Sequence, residues 1–466
     1  MQLANYNFRR WSTQFALFAM LAGCTLGPDY QRPELDVPTE FREPKPSGES
    51  IANITWWKLF QDEQLQLLIE TAIEENKDLR VALSRIEEAY AAVTIVRSDQ
   101  FPTIDVGASA GRGKQSEEID PNAKTDDNYF VGADLFFEID FWGKLRRATE
   151  AQRAELLATE AAYRNVTITL VSDVASTYFL LRDFDERLLI SKRTLKARLD
   201  NLKIIQARFD KGTVPELDVN QAQIEVAIAE VAIASLERRI IQTENALRIL
   251  LGRNPGSVAR GFGIENQVFP PSVPTGLPSE LLQRRPDLIA AEERLHAQTA
   301  RIGVAQALRY PSFVLTGNLG YESTELSDIN SSDARTWNLF GNIFQPIFNA
   351  GRLKAQVDVE IARTEQAALL YEQAFQQALR EVEDALVAIR TYKQENTARS
   401  QQVVAAQNAA RLSRARYNGG VVDYLEVLDS ERTLFSAELA ESESIQRYLN
   451  SIVRLYNALG GGWNDK

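Results

Sequence analysis

The chain has 466 residues and carries 52 Lys+Arg against 64 Asp+Glu, a formal net charge of −12. That surplus excludes the basic, phosphate-neutralising face of a nucleic-acid binder. A single Cys and a single His exclude an intrachain disulfide and a structural zinc site with about four N/S ligands. His296 is then the only residue on which His-dependent catalysis can rest, and its neighbours Glu292, Glu293, Arg294 and Arg301 read as a solvated helix surface. The sequence has no phosphate loop, nucleophile motif or metal-ligand cluster, so neither an enzyme nor a cofactor is expected.

The N-terminus is the first readable element. Arg9 and Arg10 precede the apolar stretch 11–23, too short to span a bilayer and of the form of a secretory leader. Leu21-Ala22-Gly23-Cys24 resembles the lipobox of bacterial lipoproteins, which implies cleavage before Cys24 and acylation of its thiol. One acyl chain holds weakly, so stable anchoring takes two or three. Thr25 after the Cys, rather than Asp, implies by the same resemblance sorting to the outer membrane. Loss of Arg9 and Arg10 with the leader takes the net charge from −12 to −14. No other apolar run reaches the roughly 20 residues of a spanning helix, so any membrane crossing falls to strands.

Downstream the chain repeats itself. Residues 208–221 resemble 416–429 at an offset of 208, which also pairs Gly143-Lys144-Leu145-Arg146 with Gly351-Arg352-Leu353-Lys354 and Leu251-Gly252 with Leu459-Gly460. Upstream the offset is 209, pairing Asp78-Leu79 with Asp287-Leu288 and Phe101-Pro102 with Tyr310-Pro311. Five ordered matches predict a tandem duplication. The expected organisation is a signal peptide (1–23), an acylated extended segment (24–55), a first repeat (56–252), a Pro-rich connector (253–286) and a second repeat (287–466).

Each half reads as helix, strand, strand, very long helix, turn, long helix. Residues 144–211 and 352–418 lack Gly and Pro, and a helix of that length runs roughly 100 Å. Leu181, Leu188, Leu195, Leu202 and Phe209 recur every seven residues, as do Val219, Val226, Ile233, Ile240 and Leu247. Two such seams around a Gly-containing turn predict an antiparallel coiled-coil hairpin, with Pro215 opening the returning helix and Gly252 closing it. The strands, expected at 103–110, 128–139, 312–321 and 336–344, alternate apolar and polar residues. Such strands suit an outer-membrane barrel, apolar outward and polar inward. The loops 113–127 and 323–333 read as polar, solvent-facing ends. Four strands close no barrel and an open edge in lipid is forbidden, so three copies supplying twelve strands are expected.

Two stretches carry a family resemblance. Trp56-Trp57-Lys58-Leu59-Phe60-Gln61-Asp62, followed by Leu65, Leu68-Ile69, Ala72, Asn76 and Asp78-Leu79, resembles the opening of outer membrane factors, the TolC- and OprM-like exit ducts of tripartite efflux systems. Leu277-Pro278-Ser279, Arg284-Arg285-Pro286-Asp287-Leu288, Ile302-Gly303-Val304-Ala305 and Leu459-Gly460-Gly461-Gly462-Trp463 resemble that family's second half. The lipobox favours the acylated, OprM-like branch.

The resemblance implies an α+β, TolC-like homotrimer with a twelve-stranded barrel in outer-membrane lipid and a twelve-helix periplasmic tunnel. Its implied partners are a periplasmic adaptor and an inner-membrane RND-type pump; an outer-membrane duct for type I protein secretion keeps the same fold, and a periplasmic helical adaptor or scaffold lipoprotein is a reading of a different class. The turns Gly212-Thr213-Val214 and Gly420-Val421-Val422 match the tips that adaptors grip. Leu425, Asp429 and Arg432 match the family's periplasmic gate, and their i, i+4, i+7 spacing places them on one helical face. In a trimer three Leu425 form an apolar plug and three Asp429 a ring of like charge that needs a counter-charge, from Arg432 or a bound cation. The first half carries Gln221 where the second carries Asp429.

Overall fold

The computed structural model describes residues 25–42, 56–116, 118–119, 121–122, 124–269 and 278–461. Cys24, the expected acyl site, lies outside the described residues. In order, the main elements are α1 (Glu63–Glu75), α2 (Lys77–Ser98), β1 (Thr103–Lys114), β2 (Thr125–Ile139), α3 (Lys144–Asp210), α4 (Glu216–Leu250), α5 (Pro286–Ala307), β3 (Ser312–Ser323), β4 (Arg335–Phe344), α6 (Arg352–Asn418) and α7 (Tyr424–Ala458). Both long helices have 67 residues and both returning helices 35.

The chain divides into two compact units, each drawing on both halves of the sequence: Met1–Glu34, Arg85–Glu160 and Ala290–Glu372 in one, and Leu35–Ser84, Ala161–Ile289 and Gln373–Lys466 in the other. The first unit holds the sheet, antiparallel throughout in the order β1-β2-β3-β4. Its register carries the alternation of each strand in phase across all four. Val106, Ala133, Leu319 and Trp337 lie in one cross-strand row, and Asp105, Asp134, Asn318 and Asn338 in the next. Because side chains alternate with a period of two, the first row lies on one face and the second on the other, which also carries Phe136 and Phe340 in the row of Thr103 and Thr316. The strands are longer than the alternation alone suggests: β1 runs on to Lys114 and β2 begins at Thr125, so the expected loop 113–127 contracts to 115–124. Ladder hydrogen bonds hold Arg112, Gly113 and Lys114 opposite Asp127, Asp126 and Thr125, despite their polarity.

In the same unit the segment following residue 24 is tied down by charge. Arg147 bonds the Leu26 carbonyl and the Asp29 carboxylate at 3.1 and 2.6 Å, and Arg32 grips Glu292 through two 2.7 Å bonds. His296 is not the solvated surface residue its charged neighbours suggest. Its ring stacks on Tyr30 at 4.8 Å, with Glu150 at 3.2 Å and Glu293 at 3.4 Å from its two nitrogens.

The second unit holds the apolar core, in which Phe60, Leu65, Ile69, Tyr178, Phe179 and Leu247 are among the fully buried side chains. Each contributes about 1.5–3 kcal/mol by leaving water. Asp62 is the polar hub of this core, 1% exposed. It caps α1 through the amides of Gln64 and Leu65, and accepts from the Tyr178 hydroxyl at 2.7 Å, the Phe262 amide at 3.1 Å and the Gln267 side chain at 2.8 Å. The connector after α4 is therefore stitched to α1 and α3 rather than merely spanning a gap. The long-helix seam is also displaced from the Leu series. Of the expected residues Leu181 is fully buried, while Phe209 is exposed; the continuous buried line is Phe184, Ser191, Arg198 and Ile205. Two polar members hid this line from a reading by hydrophobicity.

The four long-helix ends close alike. The amides of Gly212 and Thr213 return to the carbonyls of Phe209 and Arg208, and the same paired bonds recur at Gly252, Gly420 and Gly460. This is the Schellman cap, which requires a left-handed residue at its centre, and the φ of Gly212 is +70° and that of Gly252 +69°. Their surroundings differ. A Cβ on Gly212 would meet nothing within 4 Å, whereas one on Gly252 would lie 2.2 Å from the Glu75 carbonyl oxygen. Gly212→Ala is expected to cost about 1–2 kcal/mol, the left-handed penalty alone. Gly252→Ala adds an overpacking cost of about 1–3 kcal/mol. Denaturation midpoints should therefore fall further for the second variant, and equal midpoints would contradict the docking of the helix end against α1.

Candidate functional site

The candidate site is the pair of hairpin ends in the second unit, α3 with α4 and α6 with α7. Absence of Gly and Pro lets α3 and α6 run unbroken to their caps, and each reversal takes five residues before the returning helix starts. Pro215 lies at the N-cap of α4 rather than within its first turn, with φ −73° and ψ 158°. Asp423 is the equivalent N-cap of α7. Around the turns Thr213 bonds back to the Arg208 carbonyl through its hydroxyl at 2.9 Å, Val214 is half-buried and Val421 is 69% exposed. Gly420 and Val422 complete the second turn, with Val422 half-buried.

Above the turns the two hairpins share a small apolar cluster of Ile205, Val219, Ala222, Tyr424, Val427 and Leu428. Polar contacts frame it. Asn201 donates to the Tyr424 hydroxyl at 2.7 Å, and the Arg208 guanidinium lies 5.0 Å from the centre of the Tyr417 ring. Burial pushes the Tyr424 hydroxyl well above its ordinary pKa, so it stays a neutral donor and acceptor. Near the turns Asp218 is also pushed upward, first by burial and then by the Asp423 carboxylate of the other hairpin.

One turn further along α7 a charged triad crosses between the hairpins. Glu225 of α4, whose side chain is 5% exposed, binds Arg198 of α3 at 2.8 Å and Arg432 of α7. Arg198 is 4% exposed and also donates to the Glu225 main-chain carbonyl at 2.6 Å. Burial pulls the Arg198 guanidinium below its ordinary pKa, an effect that the Glu225 charge opposes. Arg432 thus finds its counter-charge on the first hairpin.

The expected gate residues fall on two sides of α7. Tyr424, Val427 and Leu428 are buried, whereas Leu425 is 58% exposed and Asp429 is exposed beside it. Leu425 and Asp429 point away from the cluster, and Arg432, 44% exposed at its side chain, lies at the edge where it reaches Glu225. Glu225 and Arg198 were invisible as site residues in the sequence. The available signal was a Glu one residue before Val226 of the heptad seam, and an Arg seven residues before Ile205.

No group of three or more His, Cys, Asp or Glu is arranged to hold a metal among the described residues, and no helix among them is long and apolar enough to cross a membrane. Removal of Glu225 as a charge should be costly, because Arg198 is left buried without compensation. Glu225→Gln is expected to lose about 3–5 kcal/mol of stability. Arg432→Gln, at the exposed end of the triad, should lose about 1 kcal/mol or less. Urea titration of both variants checks the order; a larger loss for Arg432→Gln would overturn the assignment of Glu225 as the buried centre.

Comparison with known proteins agrees with this architecture. The family model for outer membrane efflux proteins matches residues 68–253 and again 277–461. The chain is 37% identical over 460 residues to the solvent efflux pump outer membrane protein SrpC of Pseudomonas putida, covering 97% of each. It is 34% identical over 454 residues to the cation efflux system protein CusC of Escherichia coli K12, covering 96% of this chain and 98% of CusC. Its fold superposes on the crystal structure of the Neisseria gonorrhoeae outer membrane channel MtrE with a TM-score of 0.85 at 32% identity, over 94% of this chain and 98% of that one. With two matches that together take up most of its length, the chain belongs to the outer membrane efflux protein family.

Proposed function

We infer that three copies of this chain form the outer-membrane exit duct of a tripartite efflux pump. The observation that carries the reading is the sheet: four strands in phase, with an apolar row on one face and a polar row on the other, ordered β1-β2-β3-β4 and so not closed on itself among the described residues. Strand edges in hydrocarbon leave amides and carbonyls without partners, and four strands are too few for closure. Three chains supply twelve strands, with the row of Val106 and Trp337 toward lipid and that of Asp105 and Asn338 toward a wet lumen. The two halves are copies of one ancestral unit, supported by identical helix lengths and identical caps.

The remaining assignments follow the same reading. Residues 1–23 are a signal peptide, Cys24 is acylated, and the extended segment to residue 55 follows the anchor. The turns Gly212-Thr213-Val214 and Gly420-Val421-Val422 meet a periplasmic adaptor, behind which stands an inner-membrane pump of the RND type that supplies the energy. Leu425 and Asp429 form the apolar plug and charged ring of the periplasmic gate, and Arg432 links that helix to the first hairpin through Glu225. Relatives of similar identity are named for solvents and for cations, so the choice of cargo lies with the adaptor and pump.

Light scattering of the detergent-solubilised protein should give a protein mass three times that of one chain, and the particle should conduct in planar bilayers with preference for cations; a stable, non-conducting monomer would overturn the reading. Asp429→Ala removes the ring and any cation bridging it, so the closed channel should conduct more. Unchanged conductance would remove Asp429 from the gate while leaving the duct intact.

A further inference from the structure

A cavity of about 410 Å³ opens in the second unit, walled by α3, α6 and α7. It is separate from the proposed gate residues, none of which lines it. Its size falls within the roughly 300–1,000 Å³ of small-molecule pockets. The floor is apolar: Ala197, Ala410, Leu434 and Phe435. Behind it Arg198 is committed to Glu225, with its guanidinium 5.0 Å from the centre of the Phe435 ring.

The rim carries Arg193, Arg411 and Arg414. Arg193 is neutralised by Glu438 at 2.9 Å, and Arg414 by Glu431. Arg411 is exposed and forms no hydrogen bond or ion pair among the described residues. An otherwise acidic chain thus presents one uncommitted guanidinium over an aromatic and aliphatic floor. Guanidinium groups favour carboxylate, sulfonate and phosphate oxygens, which they meet through two parallel hydrogen bonds.

We propose that this cavity binds a small amphipathic anion, its acidic head on Arg411 and its apolar body against Leu434 and Phe435. Such a ligand bridges the first-half helix α3 and the second hairpin, and so braces the two against each other. Its recognition needs both parts, since the head alone finds one exposed cation and the body alone finds a shallow floor.

The test is isothermal titration of the full-length protein in an uncharged maltoside detergent with naphthalene-2-sulfonate. Saturable binding is expected, with one site per chain and a raised thermal midpoint for the bound form. The Arg411→Gln variant should bind about tenfold more weakly or worse, as should the neutral analogue 2-naphthylmethanol on the parent protein. Arg411 forms no hydrogen bond or ion pair among the described residues, so the variant should keep the parent's unliganded thermal midpoint. Arg380→Gln, on the same helix but outside the cavity, should bind like the parent. Absence of saturable binding, equal affinity in Arg411→Gln, or equal affinity for the neutral analogue would each overturn the proposal.

Discussion

Backbone amides and carbonyls that leave water must find one another, and this constraint governs the rest of the molecule. Within the sheet it is met between strands, and the register that meets it also brings four separate alternations into one phase. A slip of one residue at any of the three interfaces would set an apolar row beside a polar one. The outer edges of β1 and β4 have no partner strand among the described residues, and the proposed trimer joins them into one closed circle of twelve strands. A long helix answers the same constraint within itself except at its two ends, and the carbonyls of its last turn are left over. There the paired bonds at Gly212, Gly252, Gly420 and Gly460 recover carbonyls that would otherwise face nothing.

The two halves reach equal geometry with unequal chemistry. Asn76 donates from its side chain to the Leu250 carbonyl at the end of α4, at 2.8 Å. In the second half Arg285, at the equivalent position, donates to the Ala458 carbonyl at the end of α7, also at 2.8 Å. Arg285 brings a charge as well, which Asp287 and Glu381 compensate at 2.6 and 2.8 Å. Burial works against its charged form, and these two acids more than offset that, holding its pKa above the ordinary value. The Arg-Pro-Asp stretch is in this light a helix-end clamp with its own counter-ions. The same divergence separates the hairpins. Glu225 of the first ties to Arg432 of the second, while the positions that repeat them, Thr433 and Ile224, carry no charge. The two halves are thus similar in scaffold but linked in one direction only.

Much of this is legible in the residues alone. Unbroken runs without Gly or Pro set the long helices to within a residue of their ends, because nothing else terminates a helix so reliably. Alternation located all four strands, though it stopped short of Arg112 and Lys114, where ladder pairing rather than side-chain polarity decides. The heptad reading placed Val219, Ile240 and Leu247 correctly in the buried stripe of α4. On α3 it is right only in part: Leu181 is fully buried and Leu188 and Leu202 pack against the apolar clusters, but Phe209 is exposed and the continuous buried line includes Ser191 and Arg198. A polar residue inside a seam costs little once its partner is in place, and the partner of Arg198 comes from 27 residues along the chain.

The sequence by itself determined periodicity, helix length and turn positions, since each depends on residues close together in the chain. Tertiary structure decided what distance in sequence hides. It set the strand register, gathered Tyr178, Phe262 and Gln267 around the buried Asp62, and gave Arg432 to Glu225. These choices turn on which polar groups meet after water has gone, and only packing selects among partners that are chemically equal.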